Sequence, residues 1–227
     1  MLRDAPVAAA TGSGVRTLLA RVRARVWEDL QTARRRDPAS GSALEIALTT
    51  PGLHAVWLHR LAHRWWLAPG GRLPARLLAH LARGLTGVEI HPGAVLGRRF
   101  FIDHGAAVVI GETTVIGDDV MLYHQVTLGS VGWWKDRAHP DRRRHPAVED
   151  DVVIGTNASV LGAVTVGRGS RIGAHSVLTR SVPARSRVSA AHATLADLDD
   201  GGDVLITGEP EEQDTPGRSA VNGAVRK

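Results

Sequence analysis

His104 is the residue of this sequence best suited to acid–base chemistry. It lies between Asp103 and Gly105, and Glu89 precedes it by fifteen residues. A neutral imidazole is the commonest general base near pH 7. A carboxylate on its second ring nitrogen would fix the tautomer and stabilise the imidazolium. A lone histidine is more often a structural or surface residue, but the pair predicts a base that accepts a proton from a substrate hydroxyl.

Arg144 and His145 form a second group of polar residues, at the end of the stretch 129–147. An arginine there can bind a carboxylate through two parallel hydrogen bonds. The alternative is a solvated run of charge, Arg142 to Arg144. Glu112 is either a carboxylate behind the site or a corner residue facing solvent.

Branched aliphatic residues recur every six residues between Glu89 and Leu178, often followed by glycine. A period of six is neither the 3.6 of a helix nor the 2 of a strand. It is typical of a parallel β-helix whose coils each contain three short flats. Stacked coils bury one another's faces and form a continuous core. The residues of this pattern are Ile90, Leu96, Ile102, Ile110, Ile116, Leu122, Leu128, Val148, Ile154, Val160, Val166, Ile172 and Leu178.

Two interruptions of the period indicate where chemistry should be sought. The step from Ile102 to Ile110 is eight residues, and the step from Leu128 to Val148 is twenty. Insertions into such repeats emerge as surface loops, often on the binding face. We therefore expect the site at His104 and in the 129–147 loop, with the β-helix as its scaffold.

The sequence outside the repeats predicts helices before the β-helix and little regular structure after it. Val15 to about Arg36 has one apolar face. Further helical segments are expected at 43–50, at Gly52 to about Trp66 and at Leu73 to about Leu85, and proline or glycine ends the first two. The last residues are mostly polar, glycine and proline, which is typical of disorder. The predicted segments are a flexible N-terminus 1–13, an α-helical domain 14–86, a left-handed β-helix 87–183, a capping segment 184–198 and a disordered tail 199–227.

Composition restricts the function classes. The net charge is +5 and the pI about 10.8, which fits nucleic acid, a polyanionic small molecule such as coenzyme A, or a solvated basic surface. No nucleic-acid-binding motif is present, so nucleic acid is not expected. The absence of cysteine excludes disulfides and thiolate metal ligands. No apolar run reaches the roughly 18 residues of a membrane span, and we expect a cytoplasmic protein without membrane contact.

Several segments together resemble the serine O-acetyltransferases of cysteine biosynthesis. The likeness covers roughly residues 34–183 and is more specific than hexapeptide repeats alone. The segments that carry it are Arg36–Ala39, Pro51–Ala55, Arg60–His63, Glu89–Pro92, Phe101–Gly105, Val109–Thr113, Val126–Gly129 and Arg144–Pro146.

The resemblance implies roles for the polar residues. His104 matches the base that deprotonates the serine hydroxyl as it attacks the acetyl-CoA thioester, and Glu89 matches the carboxylate that orients this base. Five further residues match family positions that bind the ammonium and carboxylate groups of the substrate or lie near the base. These are Asp37 and Asp103 for the ammonium group, Arg144 and His145 for the carboxylate, and Glu112 near the base.

The resemblance also implies a co-substrate and an assembly. Acetyl-CoA is the expected acetyl donor and no metal is expected. Thr156 and Ala174 match backbone positions that meet coenzyme A, and Gly129-Ser130 begins the loop that matches a further contact. The family is a homotrimer of β-helices with each site between two subunits, often paired into a dimer of trimers.

Four departures from the family qualify these implications. Glu89 stands where the family usually has aspartate, and the 129–147 loop is longer and carries Trp133-Trp134. The family's ending Gly-Val-Pro-Ala after the last coil is absent. The chain ends in Arg226-Lys227, whereas the tail that docks into the next enzyme of cysteine synthesis, the sulfhydrylase, ends in isoleucine. We therefore expect no such docking.

Three alternatives to L-serine acetylation remain open at this point. The altered loop favours an acetyltransferase for a related hydroxy amino acid such as homoserine, in specialised metabolism. A β-helix without catalysis could serve as a trimeric scaffold. A zinc hydratase on the same fold would need three converging histidines. His59 and His63 are spaced for one helix face, but the repeats show no matching triple.

Overall fold

The computed structural model describes residues 11–39, 41–132 and 142–191, together with the backbone of Asp197–Leu198 and Val204–Leu205. Trp133-Trp134, most of the tail predicted to be disordered and the chain end discussed for docking lie outside the described residues. Among the described residues, no helix has both the length and the apolar character that crossing a membrane requires.

Short parallel strands from Glu89 to Val188 form three sheets, which are the three sides of a β-helix. The first sheet contains β1 (Glu89–Ile90), β4 (Val109–Ile110), β7 (Thr127–Gly129), β10 (Ser159–Leu161) and β13 (Val177–Leu178). The second contains β2 (Val95–Leu96), β5 (Val115–Ile116), β8 (Ala147–Val148) and β11 (Thr165–Val166). The third contains β3 (Phe101–Ile102), β6 (Met121–Leu122), β9 (Val153–Ile154), β12 (Arg171–Ile172) and β14 (Arg187–Val188).

The hexapeptide residues fill the interior of this β-helix in register. In the first sheet Ile90 pairs with Ile110, Ile110 with Leu128, Leu128 with Val160 and Val160 with Leu178. All five are buried. Burial of each such side chain contributes about 1.5–3 kcal/mol relative to exposure. The fold class predicted from the period of six is confirmed.

The last coil extends beyond Pro183, where the sequence analysis ended the β-helix. Val182 forms a bridge with Val166, and Val188 pairs with Ile172 in the third sheet. The six-residue step from Val182 to Val188 is intact, but the step from Leu178 to Val182 is only four residues. This short step hid the fifth coil from a search for a strict period.

Four helices precede the β-helix: α1 (Thr11–Arg36), α2 (Ala43–Thr49), α3 (Pro51–Trp66) and α4 (Arg72–Thr86). The first begins at Thr11, inside the segment predicted to be flexible. Pro51 occupies the first turn of α3, where its missing N–H costs nothing. Gly87 ends α4 in the left-handed conformation, with φ of 71°.

A second apolar cluster attaches these helices to the outer face of the third sheet. Phe101 and Met121 point outward from β3 and β6, and are buried against the helices. Their helical partners are Leu30, Ala33, Ile46 and Leu53. Buried Asp29 also links α1 to α3, since it accepts hydrogen bonds from Trp57 Nε1 at 2.9 Å and from the guanidinium of Arg60.

Gly52 permits a close approach between α3 and the β-helix. A Cβ at this position would overlap the carbonyl oxygen of Ile102. The glycine therefore lets the start of α3 lie directly on β3, next to the loop that begins at Asp103.

By compactness the chain divides once, after Ala190. In the second unit, β15 (Asp197–Leu198) pairs antiparallel with β16 (Val204–Leu205). The sequence analysis placed these residues in a capping segment and a disordered tail, so this strand pair was not anticipated.

Candidate active site

His104 lies in the loop between β3 and β4, where the third sheet passes into the first. We call this corner of the β-helix the base edge. The backbone of His104 has φ of 60°, a left-handed conformation that recurs at other turns of this β-helix, for example at Asp119 and His175. Its side chain is 70% exposed, and Nε2 lies 3.8 Å from Oδ2 of Asp103. An accessible imidazole beside a carboxylate suits a general base.

Glu89 and His104 are not paired in this structure. Glu89 points outward from β1 and forms an ion pair with Nε of Arg83 at 3.3 Å. The carboxylate beside His104 is therefore that of Asp103. Arg83 lies in the last turn of α4, six residues before Glu89, which explains why the two side chains meet.

His124 follows β6 on the base edge, one coil above His104. The two rings meet edge to face, with centroids 5.6 Å apart. The sequence analysis missed His124, because the twenty residues that separate it from His104 become neighbours only when the coil length is known. The eight-residue step in the first coil concealed that length.

The positions that the resemblance assigned to coenzyme A continue along the base edge. Thr156 follows β9 and Ala174 follows β12, so both stand where the third sheet passes into the first. The corners are linked by backbone hydrogen bonds, from Asn157 N–H to the His124 carbonyl at 3.1 Å and from His175 N–H to the Thr156 carbonyl at 2.8 Å. The base edge thus presents His104, Thr156 and Ala174 in one column.

Arg144 and His145 lie at the opposite border of the first sheet, where it passes into the second. We call this corner the carboxylate edge. The Arg144 guanidinium pairs with the Glu112 carboxylate. Gly129 and Ser130 begin the long loop at the same edge, and Gly162 N–H donates to the Gly129 carbonyl at 2.9 Å. The arginine that could bind a substrate carboxylate is thus already held by an acidic neighbour.

Thr113 fixes the positions of Arg144 and His145. Its hydroxyl oxygen accepts the backbone N–H groups of Arg144 at 2.9 Å and of His145 at 3.0 Å. Its own backbone N–H donates to Nδ1 of His145 at 3.2 Å. Because Nδ1 is an acceptor in this bond, the ring proton of a neutral His145 lies on Nε2. The sequence analysis missed Thr113.

Gly111 makes room for the His145 ring. A Cβ on Gly111 would overlap Cδ2 and Nε2 of His145. The ring is 8% exposed, so it is held between the glycine backbone and Thr113.

His91 lies at the carboxylate edge one coil below Glu112. Burial lowers the pKa of His91 to about 4, and the nearby Arg76, His145 and Arg144 add to this effect against the opposing influence of Glu112. Trp66 meets the ring edge-on at 5.0 Å. His91 is therefore neutral at pH 7 and leaves the charge of this edge to Arg144 and Glu112.

Asp37 lies directly after α1. Its Oδ1 accepts the backbone N–H of Ala39 at 2.8 Å. The neighbouring Arg36 donates to the carbonyl oxygen of Asp119 at 2.9 Å, at the corner between the second and third sheets.

The two edges are separated by the width of the first sheet. About five residues of extended chain span this face, which corresponds to roughly 15 Å. A single chain therefore presents two separate groups of polar residues: His104 with the column of backbone positions at the base edge, and Arg144 with His145, both held by Thr113, at the carboxylate edge. The described residues contain no cluster of three His, Asp or Glu side chains that could hold a metal ion.

A three-sided parallel β-helix of hexapeptide repeats, with an exposed histidine in a loop that leaves the coil, is the architecture of hexapeptide-repeat transferases. In agreement, the family described as bacterial transferase hexapeptide (six repeats) matches residues 145–180. The chain is 54% identical to a serine acetyltransferase of Mycobacterium tuberculosis over 68% of this chain and 65% of that protein. It is 50% identical to a serine acetyltransferase of Bacillus pumilus over 71% of each.

Solved structures agree with these relatives. Serine acetyltransferase of Neisseria gonorrhoeae, in complex with serine, has a TM-score of 0.69 and 35% identity over 76% of this chain and 68% of that one. Serine acetyltransferase of Brucella abortus, in complex with coenzyme A, has a TM-score of 0.67 and 36% identity over 74% and 64%. The chain belongs to the serine acetyltransferase family, and its β-helix is of the left-handed type.

Proposed function

We propose that this chain transfers the acetyl group of acetyl-CoA to the hydroxyl of L-serine, and so supplies O-acetylserine for cysteine biosynthesis. The observation that carries the proposal is the exposed His104 at the foot of a column formed with Thr156 and Ala174. The relatives named as serine acetyltransferases, and the neighbours solved with serine and with coenzyme A, support both substrates. A cytoplasmic location, where both metabolites are available, is part of the proposal.

His104 acts as the base in this reaction. It takes the proton of the serine hydroxyl while the oxygen attacks the thioester carbonyl carbon. When the C–S bond breaks, the imidazolium returns the proton to the departing thiolate. Asp103 stabilises the imidazolium in the geometry seen here. The ion pair between Arg83 and Glu89 is largely exposed and worth at most about 1 kcal/mol, so Glu89 can turn to His104 at little cost.

The carboxylate edge binds the amino-acid end of the acceptor. Arg144 offers a planar guanidinium and His145 offers Nε2–H to the serine carboxylate. Glu112 holds the guanidinium before substrate arrives. Asp103, together with Asp37, is assigned to the ammonium group. Fixing both ends of a small substrate supplies rate by orientation.

A complete site requires a second copy of the chain. The base edge and the carboxylate edge border the same sheet, so copies related by rotation place one copy's base edge against the next copy's carboxylate edge. Such head-to-tail contacts close into a ring, and we propose a homotrimer. Coenzyme A would then lie between neighbours, with Thr156 and Ala174 on one side and Gly129 and Ser130 on the other.

A leucine stripe on α4 provides a surface for pairing two trimers. Its four leucines recur every four residues and are 56–70% exposed. A stripe of this kind is typical of a helix that packs against another chain. The stripe consists of Leu73, Leu77, Leu81 and Leu85.

Release of free thiol from acetyl-CoA tests the proposed activity. The chain contains no cysteine, so a thiol reagent reports coenzyme A alone. We expect release that depends on L-serine and falls about 10²–10⁴-fold in His104→Ala, with His80→Ala as a control for loss of an exposed histidine. Preference for homoserine would keep the mechanism and change the acceptor. Unchanged release in His104→Ala would refute the assigned base.

A further inference from the structure

A groove of about 550 Å³ lies between α1, α3 and β2. Its volume falls in the range of small-molecule sites. Val22, Leu61 and Val95 line it, and each of these side chains is more than 40% exposed. Aliphatic side chains gathered at an exposed groove indicate a surface that another molecule covers.

The groove carries positive charge that the described residues do not neutralise. Arg25 and Arg60 line it and have acidic partners, Glu28 and Asp29. Arg21 and Arg64 also line it, from different helices, and neither has an acidic partner among the described residues. No acidic side chain belongs to the described lining. Two cations brought to one concave surface raise the potential there and favour an anion.

The floor of the groove is neutral. His59 is 4% exposed, and burial, followed by the charge of His63, lowers the pKa of His59 to about 3. His59 is therefore uncharged at pH 7 and adds no positive charge to the groove. The stacked rings of His59 and His63, with centroids 5.6 Å apart, add a flat wall beside the aliphatic side chains.

We propose that this groove binds an amphipathic organic anion. A carboxylate or phosphate head is held by Arg21 and Arg64, and an apolar body covers Val22, Leu61 and Val95. Guanidinium groups bind both kinds of head through paired hydrogen bonds. None of these residues takes part in the proposed acetyl transfer, so the site is independent of that activity.

Binding of the fluorescent anion 8-anilinonaphthalene-1-sulfonate to the full-length protein tests the proposal. The titration is run with saturating coenzyme A and L-serine, which occupy the proposed active site. We expect saturable binding that weakens about tenfold or more in the double variant R21Q/R64Q. The matched control is R180Q/R187Q, which removes the same charge from two exposed arginines of the β-helix and should change the affinity less than twofold.

Competition and self-association complete the test. Decanoate should displace the probe, whereas inorganic phosphate at the same concentration should not. Equal displacement by phosphate would show that the groove binds anions without an apolar body, and would contradict the proposed contact with the aliphatic side chains. Unchanged probe affinity in R21Q/R64Q would overturn it. A lower sedimentation coefficient of R21Q/R64Q would identify the groove as an interface between copies and would also overturn it.

Discussion

At the residue scale, Thr113 links the two functional residues of the carboxylate edge. Replacing it by valine removes the oxygen that accepts the Arg144 and His145 N–H groups, while the volume stays similar. We expect Thr113→Val to raise the KM for L-serine about tenfold or more and to leave the KM for acetyl-CoA within about twofold. Steady-state kinetics with each substrate varied in turn would measure both.

The conservative variant Thr113→Ser provides the control for this prediction. Serine keeps the hydroxyl, so it should restore most of the serine affinity. If Thr113→Ser were as impaired as Thr113→Val, the methyl group and not the hydroxyl would be responsible. Equal increases in both KM values would contradict a specific role at the carboxylate edge.

The sequence indicated His104 and Arg144 because each stands at an interruption of the period. Thr113, His91 and His124 could not be found in this way. Thr113 meets His145 across thirty-two residues, and this contact depends on how much of the long loop leaves the coil. The ion-pair partner of Glu89, Arg83, could not be predicted from the sequence either, because this pairing depends on where α4 ends.

At the scale of elements, the contact between α3 and β3 rests on Gly52. The added methyl group in Gly52→Ala would overlap the Ile102 carbonyl and force α3 away from the strand. We expect a loss of about 1–3 kcal/mol in the free energy of unfolding and a fall in activity, since the His104 loop lies beside this contact. Urea denaturation and the thiol-release assay would measure the two effects.

Gly84→Ala is the matched control for Gly52→Ala. Gly84 lies inside α4, and a Cβ there would meet nothing within 4 Å. Alanine should therefore stabilise the helix by about 0.5–1 kcal/mol. Equal destabilisation by the two changes would show that the close contact between α3 and β3 does not depend on the missing side chain of Gly52.

The buried histidine of α3 makes stability depend on pH. Burial lowers the pKa of His59 from 6.5 to about 3. Between these values the unfolded chain binds a proton that the folded chain does not. Acidification through this window therefore favours unfolding by about 1.4 kcal/mol per pH unit for this group. His91 acts in the same direction down to about pH 4.

A series of urea midpoints from pH 7 to pH 5 tests this dependence. The slope of stability against pH should be roughly halved in His59→Leu, because one of the two depressed histidines no longer titrates. His80→Leu, which removes an exposed histidine, should leave the slope unchanged. An identical slope in His59→Leu and the wild type would contradict the assignment.

The elements themselves were largely predictable. Proline, glycine and apolar periodicity located α2, α3 and α4 to within a residue or two, because each helix has a local start or stop signal. The fifth coil was missed because Val182 follows Leu178 after only four residues. In that coil, the pairing of Val182 with Val166 and of Val188 with Ile172 fixes the register. No local sequence pattern indicates these pairings.

At the scale of the whole molecule, the β-helix carries the two proposed parts of the active site along two different edges. Because roughly 15 Å of sheet separates these edges, the proposed mechanism requires that two copies of the chain assemble. Changes that weaken contacts between the copies should lower activity without altering the fold of one chain.

Complementation between two inactive variants tests this account most directly. His104→Ala chains keep the carboxylate edge, and Arg144→Gln chains keep the base edge. The two chains are co-expressed with different affinity tags, and mixed assemblies are isolated by purification on both tags in turn. Homo-oligomers of each variant serve as controls.

In a mixed trimer, one of the three contacts joins an intact base edge to an intact carboxylate edge. We therefore expect about a third of the wild-type thiol release per trimer, against less than about one hundredth for either variant alone. Mixed assemblies no more active than their parents would show that the site does not combine edges of two copies, and would contradict the central claim.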